Sequence, residues 1–253
     1  MSDAEQLPTI IAHRGNAAEF PENTLQALES AVELGLRHVE FDVQLTADKV
    51  PVLFHDSDLE RVADRPGQVH DLNWAQLSET PVGEIKRFGR RFAFTFPPSL
   101  AQAVEAISGW PGVTPFVEVK RASLRRFGRE TVLRRVSEVL RPILDRCVLI
   151  SFDLPSVQIL RAMTGVRIGW VLEHFDQPTL EAAAALGPEY LFCNLERIPA
   201  DSGALPAGPW DWAIYEVRDL KTAQHCRSLG AAYVETMTVR GLLSAYDDAR
   251  RHW

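Results

Sequence analysis

Short runs rich in β-branched and aromatic residues recur along this chain between stretches of helical periodicity, and this alternation restricts its fold more than any other feature. Eight such runs can be counted: Thr9–His13, His38–Val43, Pro115–Lys120, Cys147–Phe152, Arg167–Leu172, Tyr190–Leu195, Trp212–Val217 and Ala232–Thr236. Strands joined through helices run parallel, because a parallel pair needs a crossover of about a dozen residues or more. Eight of them suggest a closed α/β structure, a (β/α)8 TIM barrel. The 253 residues suit one such domain of ~250 residues, although two small domains would also fit that length.

The first helix is expected to start at Asn23 as cap with Gln26 at its third position, to carry the stripe Leu25, Leu28 and Val32, and to stop at Gly35. Further helices are expected over Ser99–Ser108, Ser123–Leu140, Pro155–Met163, Thr179–Leu186, Leu220–Leu229 and Arg240–Arg250. The apolar run Val50–Phe54 lies only about six residues after the second strand, too close for a parallel crossover. It is expected to form a hairpin arm with that strand through Ala47-Asp48-Lys49. Asp56 to Pro98 follows, rich in Arg, Gly and Pro, and reads as a loop-rich insertion within the barrel. The connection from Leu195 to Trp212 is short and rich in Pro and Gly, so its helix is expected to be missing.

Lys+Arg number 27 and Asp+Glu 34, a net charge of −7, which gives no general attraction to nucleic acid or to an anionic membrane. The arginine-rich stretch Arg121–Arg135 carries Leu124, Phe127 and Val132 among its charges and reads as a solvated amphipathic helix. Cys147, Cys193 and Cys226 are odd in number and far apart, as expected of small buried apolar groups in a reducing compartment. Met1–Gln6 shows no basic segment leading into an apolar stretch, and no run approaches the ~18 apolar residues of a membrane span. A cytoplasmic setting without stable membrane anchoring is expected. Nothing in the sequence specifies an oligomeric state.

Side chains two apart on a strand share a face, so Glu40 and Asp42 turn one way while Val39, Phe41 and Val43 turn the other. With the apolar set against the helices, both carboxylates enter the barrel at the carboxyl end of the strand, where barrel active sites lie. Glu118 and Lys120 repeat the arrangement on the next strand. Like charges at 4 Å repel by about 4 kcal/mol at an effective dielectric near 20, so Glu40, Asp42 and Glu118 need a cation or must take up protons. Oxygen ligands favour a divalent Mg2+, Ca2+ or Mn2+ over zinc. The alternative is that these acids form structural ion pairs with arginines at the barrel mouth. His13 and His55 each end a strand segment beside the acids and suit proton transfer near neutral pH, and Asp56 could orient an imidazole or join the metal shell. Arg14 and Lys120 suit phosphate oxygens. His38, His70, His174, His225 and His252 are read as structural or surface residues. The sequence shows no Gly-x-Gly-x-x-Gly, P-loop or Gly-x-Ser-x-Gly elbow.

His13-Arg14-Gly15, Pro21-Glu22-Asn23-Thr24, Glu40-Phe41-Asp42-Val43, Thr46-Ala47-Asp48, His55-Asp56 and Glu118-Val119-Lys120 stand in the order and spacing of the glycerophosphodiester phosphodiesterase family, which the chain resembles. The match is strongest over residues 9 to 120 and weaker at Ser151-Phe152 and Trp212. The resemblance implies a (β/α)8 barrel and a metal-dependent hydrolase of lipid and glycerol metabolism, cleaving small glycerophosphodiesters to glycerol 3-phosphate and an alcohol. It implies Glu40, Asp42 and Glu118 as metal ligands, His13 and His55 as the acid/base pair, and Arg14 and Lys120 on the phosphate, with Trp212 also on the substrate. Glu22 serves either the substrate or its own loop. The chain has Trp212-Ala213-Ile214-Tyr215 where the family commonly has Trp-Thr-Val-Asn, Glu235-Thr236 where it has Thr-Asp, and Pro98-Ser99-Leu100-Ala101-Gln102 where it has Pro-Thr-Leu-Glu-Glu. These departures bear on the alcohol more than on the reaction. A lysophospholipase D is the nearest rival, with Trp74, Phe88, Phe92, Phe94 and Phe96 covering an acyl chain or forming a small satellite core. A barrel that binds phosphate compounds without cleaving them, and a metal-assisted lyase or isomerase, stand further off.

Overall fold

The computed structural model describes residues 7–251, so the reading of Met1–Gln6 and of His252 falls outside it. The strands are β1 (Thr9–Ala12), β2 (His38–Leu45), β3 (Pro51–Leu53), β4 (Thr114–Val119), β5 (Val148–Ser151), β6 (Arg167–Val171), β7 (Tyr190–Asn194), β8 (Asp211–Tyr215) and β9 (Tyr233–Thr236). Eight of these nine described strands pair in parallel around a closed ring, with β1 bonded to both β9 and β2. The expected barrel is present, and α-helices join its successive parallel strands except between β7 and β8.

The ninth strand is the arm. β3 pairs antiparallel with the far end of β2, Val43 opposite Leu53 and Leu45 opposite Pro51. Val43 also faces Val119 of β4, so β3 occupies the edge of β2 that β1 meets lower down at Ala12 and Val39. β2 outruns β1, and the arm covers the exposed remainder of its edge. Its last step, Phe54 N–H to Asp42 O at 3.0 Å, steers the chain back toward the end of β1.

Two apolar layers follow from strand alternation. Val39, Phe41, Val43, Val117, Val119, Leu149, Leu191 and Ile214 face outward against Leu28, Ala103, Leu133, Val157 and other helix residues. Ile11, Phe116, Val148, Ile150, Val171, Tyr190, Phe192 and Ala213 fill the barrel. Aromatic edges plug its lower part, with Phe116 5.1 Å from Tyr190 and 5.6 Å from Phe192 between ring centroids. His38 joins this plug, 5.4 Å from Tyr233. Gly169 makes room for it, since a Cβ there would sit 2.8 Å from Ile150 Cγ2.

Two helix expectations need correction. Thr24, not Asn23, caps the helix Leu25–Glu33, accepting from Ala27 N–H. Asn23 instead adopts φ +56°, which frees its amide for another partner. The stretch expected as one helix over Ser123–Leu140 is two, Arg121–Phe127 and Arg129–Leu140, because Gly128 between them takes φ +82° and ψ 142°. The remaining helices stand within one or two residues of expectation, and Leu195–Trp212 contains only the short turn Leu195–Arg197. The insertion holds four- and three-residue helical turns over a satellite core of Val52, Phe54, Leu59, Val62, Val69, Leu77 and Val82.

Candidate active site

The carboxyl ends of the strands surround a cavity of about 220 Å³ lined by His13, Arg14, Glu40, His55, Glu118, Lys120, Phe152, Tyr215, Glu216 and Glu235, among others. A second recess of about 250 Å³ adjoins it, adding Gln44, Ser57, Arg121 and Arg125. The expected inward turn of Glu40, Asp42, Glu118 and Lys120 is what the alternation delivers. Carboxylate oxygens of Glu40, Asp42 and Glu118 lie within 4.8 Å of one another, close enough to share one ion.

Burial dominates the electrostatics here. Asp42 is fully buried, which alone would raise its pKa, but Lys120, His55 and Arg14 together hold it well below the usual carboxylate range. Lys120 Nζ lies 3.1 Å from Asp42 Oδ1 and 2.8 Å from Glu118 Oε1. Glu40 is pushed well above that range by burial and then by the charges of Asp42, Glu235 and Glu118. The four buried carboxylates of Glu40, Asp42, Glu118 and Glu235 face the cations Arg14 and Lys120, an excess of two negative charges when these groups are all ionised, and Glu216 adds a fifth acid at the cavity wall. Glu40 Oε1 is buried without any polar partner, as a ligand atom awaiting an ion would be, whereas Asp42 Oδ1 faces Lys120. The residues present therefore fit a divalent cation.

The two histidines meet because of the arm. Continuing the registers places His13 beside Glu40 on one edge of β2 and His55 at the level of Phe41 on the same edge. His13 is 8% exposed, and burial followed by the charge of Arg14 lowers its pKa well below 6.5. Its Nε2 lies 4.0 Å from Glu40 Oε2 and 3.9 Å from Glu235 Oε2. His55 Nδ1 lies 2.7 Å from Asp56 Oδ1, and its Nε2 has no hydrogen bond to another described residue. Asp56 thus orients the ring, one of the two roles considered for it, and Arg61 Nε holds its other oxygen at 2.6 Å.

Glu22 is committed to cations and does not line the cavity. Its oxygens accept from Arg61 Nη1 and Nη2 at 2.7 Å and from Arg14 Nη1 at 3.0 Å, so it fixes Arg14 rather than meeting a substrate. Arg14 also lies 3.2 Å from Asp42 through Nε, and its backbone N–H donates to Glu40 Oε2 at 2.9 Å. Trp212 is a second correction. Alternation on β8 turns Ala213 and Tyr215 inward and Trp212 outward, where it packs against Phe175 and Trp210 and donates its indole N–H to Pro206 O. None of Trp74, Phe88, Phe92, Phe94 and Phe96 lines the cavity, and Phe88 and Phe92 meet edge to face at 5.2 Å.

Three positions escaped the sequence reading. Asn23 brackets Asp42, its Oδ1 accepting the Asp42 N–H at 3.0 Å and its Nδ2 donating to Asp42 Oδ2 at 2.8 Å. Arg61 comes from the insertion, where no spacing rule marks it. Glu235 occupies the inward face of β9, which two-residue alternation from Tyr233 would have indicated.

Known proteins resemble this chain in sequence and in fold. The sequence profile of the glycerophosphoryl diester phosphodiesterase family matches residues 13–191. Glycerophosphodiester phosphodiesterase 1 of Bos taurus is 31% identical over 65% of this chain and 48% of its own length. A glycerophosphodiester phosphodiesterase of Caldanaerobacter subterraneus is 32% identical over 61% of this chain and 62% of its own. The match thus spans about half to three fifths of these two relatives. A phosphodiesterase of Oleispira antarctica, solved with the product sn-glycerol-3-phosphate, superposes with TM-score 0.80 at 25% identity, covering 98% of this chain and 100% of that one. The glycerophosphodiester phosphodiesterase of Agrobacterium tumefaciens superposes with TM-score 0.71 at 21% identity, over 92% and 98% of the two chains. With the profile matched over well more than half of its length, this chain belongs to the glycerophosphoryl diester phosphodiesterase family.

Proposed function

We propose that the protein is a metal-dependent phosphodiesterase that cleaves small glycerophosphodiesters to glycerol 3-phosphate and an alcohol. The observation that carries this reading is the convergence of Glu40, Asp42 and Glu118 with His13 and His55 at one barrel mouth. Glu40, Asp42 and Glu118 would hold a divalent cation, Mg2+ or Ca2+, with Mn2+ as a third choice. When bound, such an ion neutralises the phosphodiester and polarises it as a Lewis acid. Arg14, fixed by Glu22, and Lys120, fixed between Asp42 and Glu118, bind phosphate oxygens.

Burial keeps the His13 imidazole neutral, so it withdraws the proton from the attacking hydroxyl, whether that of water or of the glycerol itself. Asp56 orients the His55 ring through Nδ1, and Nε2 delivers the proton to the leaving alkoxide. Three buried, unpaired cysteines support a cytoplasmic setting, and no described helix is long and apolar enough to cross a membrane. The aromatics of the insertion lie away from the cavity, which favours small diesters over lipid-sized ones.

The test is a product assay on glycerophosphocholine, lysophosphatidylcholine and other diesters, with chelator and with Mg2+, Ca2+ and Mn2+ restored singly. Release of glycerol 3-phosphate that stops with chelator is expected. Binding without turnover, or products other than an alcohol and glycerol 3-phosphate, would overturn the proposal.

A further inference from the structure

Glu235 stands apart from the proposed chemistry. Its side chain is 4% exposed, it lines the cavity, and its Oε1 has no hydrogen bond, while Oε2 faces His13 Nε2 at 3.9 Å. Glu40 Oε2 faces the same nitrogen at 4.0 Å, and the three donor atoms lie within 4.8 Å of one another. These donors form a second cluster that shares only Glu40 with the group Glu40, Asp42 and Glu118. A buried carboxylate oxygen without a partner is costly to leave unmet, so this arrangement suits a ligand.

We propose that His13, Glu40 and Glu235 form a second cation site, selective for a first-row transition ion such as Zn2+, whose occupation blocks the imidazole of His13 and inhibits the enzyme. The inhibitory half rests on the role of His13 proposed above; the binding half does not. The donor set differs in kind from its neighbour. Three carboxylates suit hard cations, whereas an imidazole with two carboxylates suits zinc and its neighbours, for which affinity at such sites greatly exceeds that of Mg2+ or Ca2+. The spacing also fits. Two ligands on one zinc at bonds of about 2.0–2.2 Å can stand no more than about 4.4 Å apart, so His13 already lies within reach of an ion shared with either acid.

Once zinc holds Nε2, that nitrogen has no lone pair with which to take a proton from the attacking hydroxyl. Activity should therefore rise as the hard cation fills the Glu40, Asp42 and Glu118 group, then fall as zinc is added. Replacing Glu235 removes one of the three donors and leaves the other acids and both histidines in place.

The experiment titrates Zn2+ against a chromophoric chelator in the presence of saturating Mg2+, for the wild-type chain, E235Q and E235T, with Co2+ visible absorption as a second readout of nitrogen ligation. Each variant's melting curve is recorded to show that it is folded. Wild type should bind one Zn2+ beside Mg2+, and each variant should bind it at least about 10- to 100-fold more weakly, the loss that even an outer partner of a ligand produces. The zinc concentration that halves diester turnover, taken relative to each protein's own uninhibited rate, should rise by the same factor. Equal zinc affinity in wild type and both folded variants, or no zinc binding with Mg2+ present, would overturn the site. Zinc binding that depends on Glu235 but leaves turnover unchanged would overturn the inhibition. If no diester were cleaved at all, the chelator and Co2+ titrations would still decide the site.

Discussion

Replacing Asn23 by Ala tests how the acids of the proposed metal site are held in place. Asn23 uses both ends of its amide on Asp42, with a backbone N–H accepted at 3.0 Å and a carboxylate bonded at 2.8 Å, and it is 3% exposed. Removing it leaves the Asp42 N–H buried and unpaired, at about 1–3 kcal/mol, and deletes a charge-assisted bond of about 1.5–3 kcal/mol. Alanine at φ +56° adds about 1–2 kcal/mol of backbone strain that asparagine largely escapes. Asp42 keeps Lys120 and Arg14, so part of the loss relaxes, and a net destabilisation of about 4 kcal/mol is expected. For a domain of this size that lowers Tm by roughly 8–16 °C. Asn23→Gly separates the two contributions, since it loses the same bonds without the strain and should melt higher than Asn23→Ala. Calorimetry measures stability, and titration of Mg2+ or Ca2+ should show affinity reduced roughly 10- to 100-fold in both variants. A Tm drop under about 3 °C, or unchanged cation affinity, would refute the view that Asn23 fixes Asp42.

Asp56→Asn should lower kcat by roughly 10²-fold while cation affinity is retained, because it weakens the hold on His55 and the pair with Arg61 but leaves Glu40, Asp42 and Glu118 untouched; steady-state kinetics with calorimetry will show it. Phe116→Ala empties the centre of the aromatic plug and should cost about 3–5 kcal/mol in urea unfolding. Gly15→Ala places a Cβ 2.5 Å from the Ala27 backbone at φ +80°, so expression of folded protein should collapse or Tm fall sharply. Asp153 has its pKa lowered to about 2, first by the hydrogen bond from Arg129, against burial, and then by Ser156. Its folded pKa lies below the usual 3.8, so its stabilisation is complete above about pH 4 and is lost as pH falls toward 2. The stability gap between wild type and Asp153→Asn should be constant above pH 4 and close below it in acid unfolding curves.

Much of the site was legible because strand alternation is a local rule. Glu40, Asp42, Glu118 and Lys120 could be turned inward from the run of apolar residues between them, and the close spacing of Val50–Phe54 to the second strand forced an antiparallel arm. Trp212 was misplaced because a motif match ignored the same alternation, which turns Ala213 and Tyr215 inward instead. Asn23 was misread because capping preferences cannot tell asparagine from the threonine that follows it, and its left-handed backbone is fixed by Asp42, far along the chain.

The sequence alone determined the barrel, the arm and the inward acids, since periodicity and loop length act over a few residues and need no knowledge of distant partners. Only the tertiary structure decided which cations those acids hold, that Glu22 anchors arginines, and that Glu235 shares His13 with Glu40. Those outcomes depend on how strands far apart in the chain are staggered around a closed ring. A stagger of one residue would exchange one buried charge for an apolar neighbour, and no local pattern encodes it.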